Sequence, residues 1–559
     1  MKSTARNRAR PKKIKALKLI ERNKHREALP LLEAVCRSAP KDGEAWLILG
    51  ATHGHLGNIQ ASVHCSEQAV SIMPASIQAL DNLALGYQQS GEIKKACAVL
   101  ERRLALDLQH RDTVNRLAQG LITIGQTDRA IAVYQQFLET HPDDYELHTN
   151  LGAAHEYEGE LCQAEHHYRR ALELQPGLST ARQNLANVFS AQGRTENALQ
   201  TYRAALESDP NNATARSNYL LNLHYDAECS AHEIYREHVE HMRILGTAEN
   251  ARTFANELDA RRPLRIGFVS PDMRTHSVAC FFEALLESMD KKKSISYCYA
   301  DVARPDATTA RLRKLSSHWR DISSKNIAGI CSRILDDSID ILIDLAGHTS
   351  SRNIGVFAAK PAPIQITWLG YPNTTGLHCV DYRLTDTHAD PAEHSTPGTE
   401  ELVHLNDSFL CYKASTDAPE VTTLPARLSG FITFGSFNNL AKVNDQVLWL
   451  WARLLGRVTN ARLFIKNPSF TDEQTRNTCR KKLVDMGVNP DRIRLAGRTC
   501  TREKHLQLYS AVDIGLDTFP YNGTTTTCEA LWMGIPVVTK AGNSHAGRVG
   551  VSLLNAVNH

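Results

Sequence analysis

Residues 511–542 read AVDIGLDTFPYNGTTTTCEALWMGIPVVTKAG, and this stretch decides the fold. Residues 512–516 are a short apolar run that fits a buried parallel strand. Residues 520–523 supply turn chemistry, 528–533 favour helix, and 535–539 return as a second strand. Between strand and helix stand Thr524, Thr525, Thr526 and Thr527. A helix that opens on small hydroxyl residues leaves backbone N–H groups unbonded at its positive dipole end. At the carboxyl end of a parallel strand, such a turn is a seat for a diphosphate. Asp517, at the strand's exit, is placed to accept hydrogen bonds from ribose hydroxyls. One threonine there would be a helix cap; four in a row after Asn522 and Gly523 favour a ligand.

The surrounding sequence repeats the strand–helix alternation from Pro263 onward. Residues 264–270 (LRIGFVS), 339–345 (IDILIDL), 364–369 and 382–384 read as strands of one set. Residues 431–434, 462–465, 493–495, 514–516 and 536–539 read as strands of a second set, with a helix over 445–455. Alternation of this kind argues for parallel sheets. Two sets in tandem predict two Rossmann-like lobes, 263–423 and 424–559, facing a cleft. Neither lobe carries G-x-G-x-x-G or a P-loop, which argues against dehydrogenase and ATPase chemistry. Reactive side chains gather where strands end: His276, His348, Lys442 in SFNNLAK, Arg502 and His505. Ligands of open α/β sheets bind at those ends, and a lysine there meets phosphate as a point charge.

The first half counts in thirty-fours. Residues 7–210 divide into six blocks of 34, most of them ending on proline, with Gly57, Gly91, Gly125, Gly159 and Gly193 in phase. Ala96, Ala130, Ala164 and Ala198 keep the same spacing, as do Tyr134, Tyr168 and Tyr202. This is the period of tetratricopeptide repeats, helical hairpins that stack into an α-solenoid with a concave groove. Asn82, Asn150, Asn184 and Asn218 also recur in phase, interrupted by Arg116. On the first helix of each hairpin they form a ladder of amides. Such a ladder either bonds the backbone of a bound peptide or holds the repeats to one another. Residues 211–262 continue helical as a cap and linker, and residues 1–6 are a basic tail.

Composition narrows the function classes. With 64 basic against 61 acidic residues, the chain as a whole is no polyanion binder, so no nucleic-acid partner is expected. Thirteen cysteines without a C-x-x-C pair or zinc spacing favour reduced thiols in a cytoplasmic setting, with no metal. No apolar run reaches the length of a membrane span.

Tetratricopeptide repeats followed by LRIGFVSPDMRTHSV, PAPIQITWLGYPNTTG, FGSFNNLAK and LDTFPYNGTTTTCEALWMGIPVVT resemble the nucleocytoplasmic protein O-GlcNAc transferases, from about residue 7 to the end. The resemblance implies a two-lobed GT-B fold. It further implies an inverting transfer of a sugar, GlcNAc from UDP-GlcNAc, to Ser/Thr hydroxyls of proteins docked on the repeats, without cofactor or metal. By position, Lys442 matches the lysine that neutralises the donor diphosphate, with Thr524, Thr525 and Thr526 at the helix start. Asp517 matches the ribose-binding carboxylate, and His505 and Arg502 match the base end. Asn439 stands where the family often has Gln. His276 matches the histidine named as general base, and His348 is placed on the acceptor side. Self-association through the repeats is a further expected contact. The stretch around the four threonines is closer to the SPINDLY-type branch, which keeps GDP-fucose open as the alternative donor. The family continues for several dozen residues beyond this point, so an incomplete last lobe, and with it a non-catalytic scaffold, is the competing expectation.

Overall fold

In the computed structural model, residues 2–245, 253–259, 261–394 and 397–558 are described. The chain divides into two compact units, residues 1–158 with 166–176, and residues 159–165 with 177–559. The first unit is helical throughout. Its hairpins pair Lys2–Glu21 with His25–Ser38, Gly43–His55 with Ile59–Ile72, Ile77–Gln89 with Ile93–Leu106, and Arg111–Thr123 with Thr127–Thr140. The basic segment expected as a tail is therefore helix from Lys2 onward, as its Ala, Lys and Arg content favours.

The 34-residue phase has a physical cause at each of its positions. Gly57, Gly91, Gly125, Gly159 and Gly193 all take φ between 73° and 84° at the hairpin turn, the left-handed region that a Cβ disfavours. Asp42, Ser76, His110 and Asp144, again 34 apart, cap the first helix of their hairpins, each accepting from a backbone N–H three residues on. Ala96 and Ala130 are at most 1% exposed and share one core with Tyr134, and Tyr168, 34 residues further on, is as deeply buried. The phase thus marks turns, caps and helix crossings, which are the three places where a hairpin stack tolerates few residue types.

The second unit opens with the helices Ser179–Ala191, Thr195–Ser208, Ala213–Leu223 and Ala231–Met242. Two wound sheets follow. The first comprises β1 (Leu264–Ser270), β2 (Ser294–Ala300), β3 (His318–Asp321), β4 (Ile341–Asp344), β5 (Ile364–Thr367), β6 (Tyr382–Thr385) and β7 (Glu401–His404). They pair in the order β3-β2-β1-β4-β5-β6-β7, all parallel. The second comprises β8 (Ile432–Ser436), β9 (Ala461–Lys466), β10 (Ile493–Ala496), β11 (Ile514–Leu516) and β12 (Val537–Val538), in the order β10-β9-β8-β11-β12, also parallel. Strands β2, β3 and β7 are ones that sequence patterning passes over, because SISYCYA and HWRD mix polar and aromatic residues. Of the expected cap and linker, 211–262, residues 246–252 and 260 lie outside the described residues.

Chain order reverses direction between β1 and β4 in the first sheet, and between β8 and β11 in the second. Each reversal opens a crevice at the carboxyl ends, the place where wound sheets hold ligands. The two lobes are joined by the last helix, Val549–Ala556. Its Val549 and Leu553 pack with Phe268, Trp368 and Phe409 in the core of the first lobe. Ser552 Oγ donates to Asp386 at 2.6 Å, and His545 Nδ1 lies 2.6 Å from Asp390, which Arg383 and Thr385 also contact. Burial alone would raise the Asp390 carboxyl, but His545 and Arg383 hold it well below the usual range.

Candidate functional site

At the crevice of the second sheet, the loops after β8 and β11 interlock. After β8 the chain enters a tight turn, Leu440–Lys442, capped by Asn439, whose side chain accepts from Ala441 N–H at 3.2 Å. Asn439 is exposed there. Asn438 is buried and accepts from Thr526 Oγ1 at 2.9 Å, which ties the two loops together. After β11, Asp517 accepts from Gly523 N–H at 2.6 Å, Thr518 N–H at 2.8 Å and Thr539 Oγ1 at 2.8 Å. Burial pushes the Asp517 carboxyl up, and these donors and Lys442 oppose it. The structure therefore sets Asp517 beneath the loop as its organiser, with both oxygens engaged by the protein.

Lys442 Nζ donates to Asn522 O at 2.8 Å and sits 3.8 Å from the centre of the Tyr521 ring. Burial lowers its pKa to about 8, opposed by the charge of Asp517. An ammonium with one carbonyl partner keeps N–H groups available for an anion. The helix Thr525–Trp532 begins beside it. Thr526 and Thr527 hydroxyls are engaged within the protein, by Asn438 and by Gly523 O. Thr524 makes no side-chain cap, so the helix start presents its backbone N–H groups.

Further along the same helix lies a carboxylate that sequence reading passes over. Glu529 is 5% exposed and accepts from His505 Nε2 at 3.0 Å and from Arg502 Nη2 at 3.4 Å. Arg502 Nη1 also donates to Cys280 Sγ of the first lobe at 3.0 Å. Arg502 Nε and His505 Nδ1 are buried polar atoms with no protein partner, the usual mark of a group that awaits a ligand or water. Its helical spacing, one turn beyond the threonines, is the signal that could have found Glu529. Arg502 and His276 line one cleft of about 340 Å³ with Thr275, Cys280, Arg311 and Lys413. His276 follows β1 with its side chain 39% exposed, Nδ1 3.6 Å from Asp272 Oδ1. Burial lowers its pKa and Asp272 opposes the shift, so the ring is neutral at pH 7.

His348 departs from expectation. It follows β4 at the other crevice, but it is 0% exposed. Its Nε2 donates to Thr375 O at 2.8 Å and its Nδ1 accepts from Ser217 Oγ at 3.2 Å. Both ring nitrogens are occupied inside the protein, so His348 cannot touch an acceptor. Around it, His238 Nδ1 donates to Ile234 O at 2.7 Å and its Nε2 accepts from Tyr371 OH at 2.6 Å, while His224 Nε2 lies 3.2 Å from the same oxygen. Desolvation holds His348 down to about 4 and His224 down to about 3.

The repeat asparagines divide between the two units. In the first, Asn150 Nδ2 donates to Asn115 Oδ1 at 3.0 Å, beside the hydroxyl of Tyr134. In the second, Asn218 Nδ2 donates to Asn187 Oδ1 at 2.9 Å, beside Tyr202. These two amides therefore hold one repeat to the next. Asn82 and Asn184 are half-buried. Among the described residues, no group of three His, Cys, Asp or Glu side chains is arranged to hold a metal ion, and no helix is long and apolar enough to cross a membrane.

Comparison with known proteins agrees with the repeats and the two-sheet fold. Tetratricopeptide-repeat profiles match residues 15–63, 79–112, 115–179 and 157–219. Over 345 residues, 61% of this chain, it is 46% identical to a rice protein named "Probable UDP-N-acetylglucosamine--peptide N-acetylglucosaminyltransferase SPINDLY", of which 37% is covered. An Arabidopsis thaliana protein of the same enzyme name, SEC, is 30% identical over 57% of this chain and 34% of its own length. The chain thus spans little more than a third of the length of the curated relatives it matches. A solved structure of a Thermobaculum terrenum O-GlcNAc transferase, in a mutant form, superimposes with a TM-score of 0.75 at 34% identity, over 80% of this chain and 85% of that one. The profile of glycosyl transferase family 41 matches residues 237–417 and 416–559, more than half of the sequence, and the chain belongs to that family.

Proposed function

We propose that this protein transfers a sugar, GlcNAc from UDP-GlcNAc, to serine and threonine hydroxyls of proteins that its repeats bind. The observation that carries the reading is Lys442: a partly buried lysine whose ammonium has unused N–H groups, set beside a helix start at the crevice between β8 and β11. The bond that breaks joins the anomeric carbon to a diphosphate oxygen, and negative charge grows on that oxygen as it breaks. Lys442 and the N–H groups at Thr525 and Thr526 meet this charge electrostatically, and such stabilisation usually contributes more to the rate than any other single effect. The charge is met by protein groups, so the reading calls for no metal. Arg502, His505 and Glu529 hold the nucleoside end.

The acceptor hydroxyl attacks the anomeric carbon from the face opposite the departing diphosphate, which inverts the configuration. Its proton must leave as the new bond forms. His276, neutral at pH 7 and open to the cleft, is the side chain we assign to receive it. The names of the rice and Arabidopsis relatives support UDP-GlcNAc as donor and protein as acceptor. The test is to incubate the full chain with UDP-GlcNAc or GDP-fucose and a cell extract, and to read Ser/Thr adducts by mass spectrometry. HexNAc that disappears with Lys442→Met supports the reading. Deoxyhexose instead would move the donor to GDP-fucose, and an unmodified extract with both donors would contradict transfer altogether.

A further inference from the structure

Lys442 has a second neighbour that the proposed chemistry leaves unexplained, besides the carbonyl of Asn522. Its Nζ stands 3.8 Å above the ring of Tyr521, close enough for an attraction between a cation and an aromatic face. The same ring is braced by Tyr225, which stacks with it at 5.4 Å and 24°. Tyr225 is 7% exposed and lies in the turn between the helices Ala213–Leu223 and Ala231–Met242, so it comes from the capping helices. The backbone of Tyr521 is also fixed. Its carbonyl accepts from Thr518 Oγ1 at 2.7 Å. The adjoining Asn522 bonds to Ala546 O, Thr518 O and Gly550 N–H. The lysine's own turn is braced as well, since Gly193 lies against Leu440 so closely that a Cβ there would meet Leu440 O at 3.1 Å.

We infer that Tyr521 is a positioning residue that keeps Lys442 charged and aimed at the diphosphate, and that Tyr225 of the capping helices holds Tyr521 in place. The inference rests on the reading of Lys442 given under Proposed function. Its physical basis is simple: burial strips water from the ammonium and favours the neutral amine, whereas the face of an aromatic ring favours the cation. The charged group that acts on this lysine is Asp517, which also favours the cation; His224 meets the Tyr521 ring edge-on and is held neutral by burial. With the ring removed, Asp517 alone opposes desolvation, and the lysine releases its proton at lower pH. Binding of an anion that needs the charged lysine then fades at lower pH too.

The experiment is calorimetric titration of the full chain with UDP between pH 6.5 and 9. Wild type, Tyr521→Phe, Tyr521→Leu, Tyr225→Leu and Lys442→Met are compared. Tyr521→Phe should bind within about twofold of wild type, because the ring remains. Tyr521→Leu should lose about tenfold at pH 8.5 and clearly less at pH 6.5, and Tyr225→Leu should fall between the two. Equal affinities for Tyr521→Leu and wild type across the range would overturn the inference, as would equal losses in the Phe and Leu variants. If Tyr521→Leu does not fold, ring-fluorinated phenylalanines at position 521 weaken the electrostatic face at nearly constant shape. Affinity should then fall stepwise with each fluorine, and a flat series refutes the role. Lys442→Met separates the two claims: UDP binding unchanged in that variant overturns the reading of Lys442 itself, whatever position 521 does.

Discussion

The two sheets are wound alike and each opens a crevice at its point of reversal, yet the crevices have opposite fates. Between β8 and β11 the crevice presents an ammonium and a helix start with unused N–H groups. In the first sheet the β4 side of the crevice is filled: Ser217, His224 and His238 from the capping helices and their ends close over His348 and Tyr371 in a hydrogen-bonded cluster, while His276 after β1 stays open to a cleft. Topology says where a ligand can sit, and the neighbouring helices decide whether it does. A histidine at a strand end is therefore open to a cleft at one position and a core residue at another: His276 after β1 is exposed, whereas His348 after β4 of the same sheet is buried, with the same local sequence logic behind both.

The sharpest way to break this contrast is to remove a group from each crevice. Lys442→Met should lower kcat/KM for transfer by about 10²–10³-fold with the fold intact, measured with an acceptor identified by mass spectrometry. His348→Ala should do the reverse. It should cost about 3 kcal/mol in urea unfolding, because it opens a cavity and leaves Ser217 and Thr375 without partners, with acceptor KM unchanged. A large acceptor effect without loss of stability would return His348 to the binding surface.

Protonation probes the filled crevice without mutation. The folded pKa of His348 is about 4 and that of His224 about 3, below the unfolded value near 6.5. The unfolded chain therefore binds more protons in acid. Stability from these rings is complete above pH 6.5 and is lost as pH falls toward 4, by about 2 kcal/mol per ring at pH 5. Denaturant midpoints at pH 7 and pH 5 check this, and His348→Phe should flatten the dependence. At the open crevice, Glu529→Gln should raise the donor KM about tenfold, equivalent to ~1.4 kcal/mol, with kcat little changed. Loss of kcat alone would place Glu529 in the chemistry rather than at the nucleoside end. The smallest effect belongs to the solenoid: Asn218→Ala should cost about 1 kcal/mol of stability, and an acceptor KM that rises with it would show that the ladder both packs and docks.

What can be read from the sequence follows the same division. The repeats are legible because turn, cap and crossing positions tolerate few residues, so Gly193 or Ala130 announce themselves. The threonine helix and the turn that carries Lys442 are legible as structure because a strand end followed by turn residues and small hydroxyl residues leaves a compact local pattern. Asp517 and Glu529 are not told apart by sequence, since both are carboxylates near the loop and only tertiary hydrogen bonds give one to the loop and the other to His505. His348 misleads because no local window contains the residues around it: Ser217 and His238 lie more than a hundred positions earlier, Tyr371 and Thr375 more than twenty later. The strands β2 and β3 escape for a related reason: their polar residues are tolerated by pairing and packing that no local window contains.

A structure of the full chain with UDP tests the central claim most directly. Diphosphate oxygens are expected at hydrogen-bond distance, about 3 Å, from Lys442 Nζ and from the N–H groups at Thr525 and Thr526, with the base beside His505 and Arg502. UDP seated away from the β8–β11 crevice, with Lys442 still bonded only to Asn522, would contradict it.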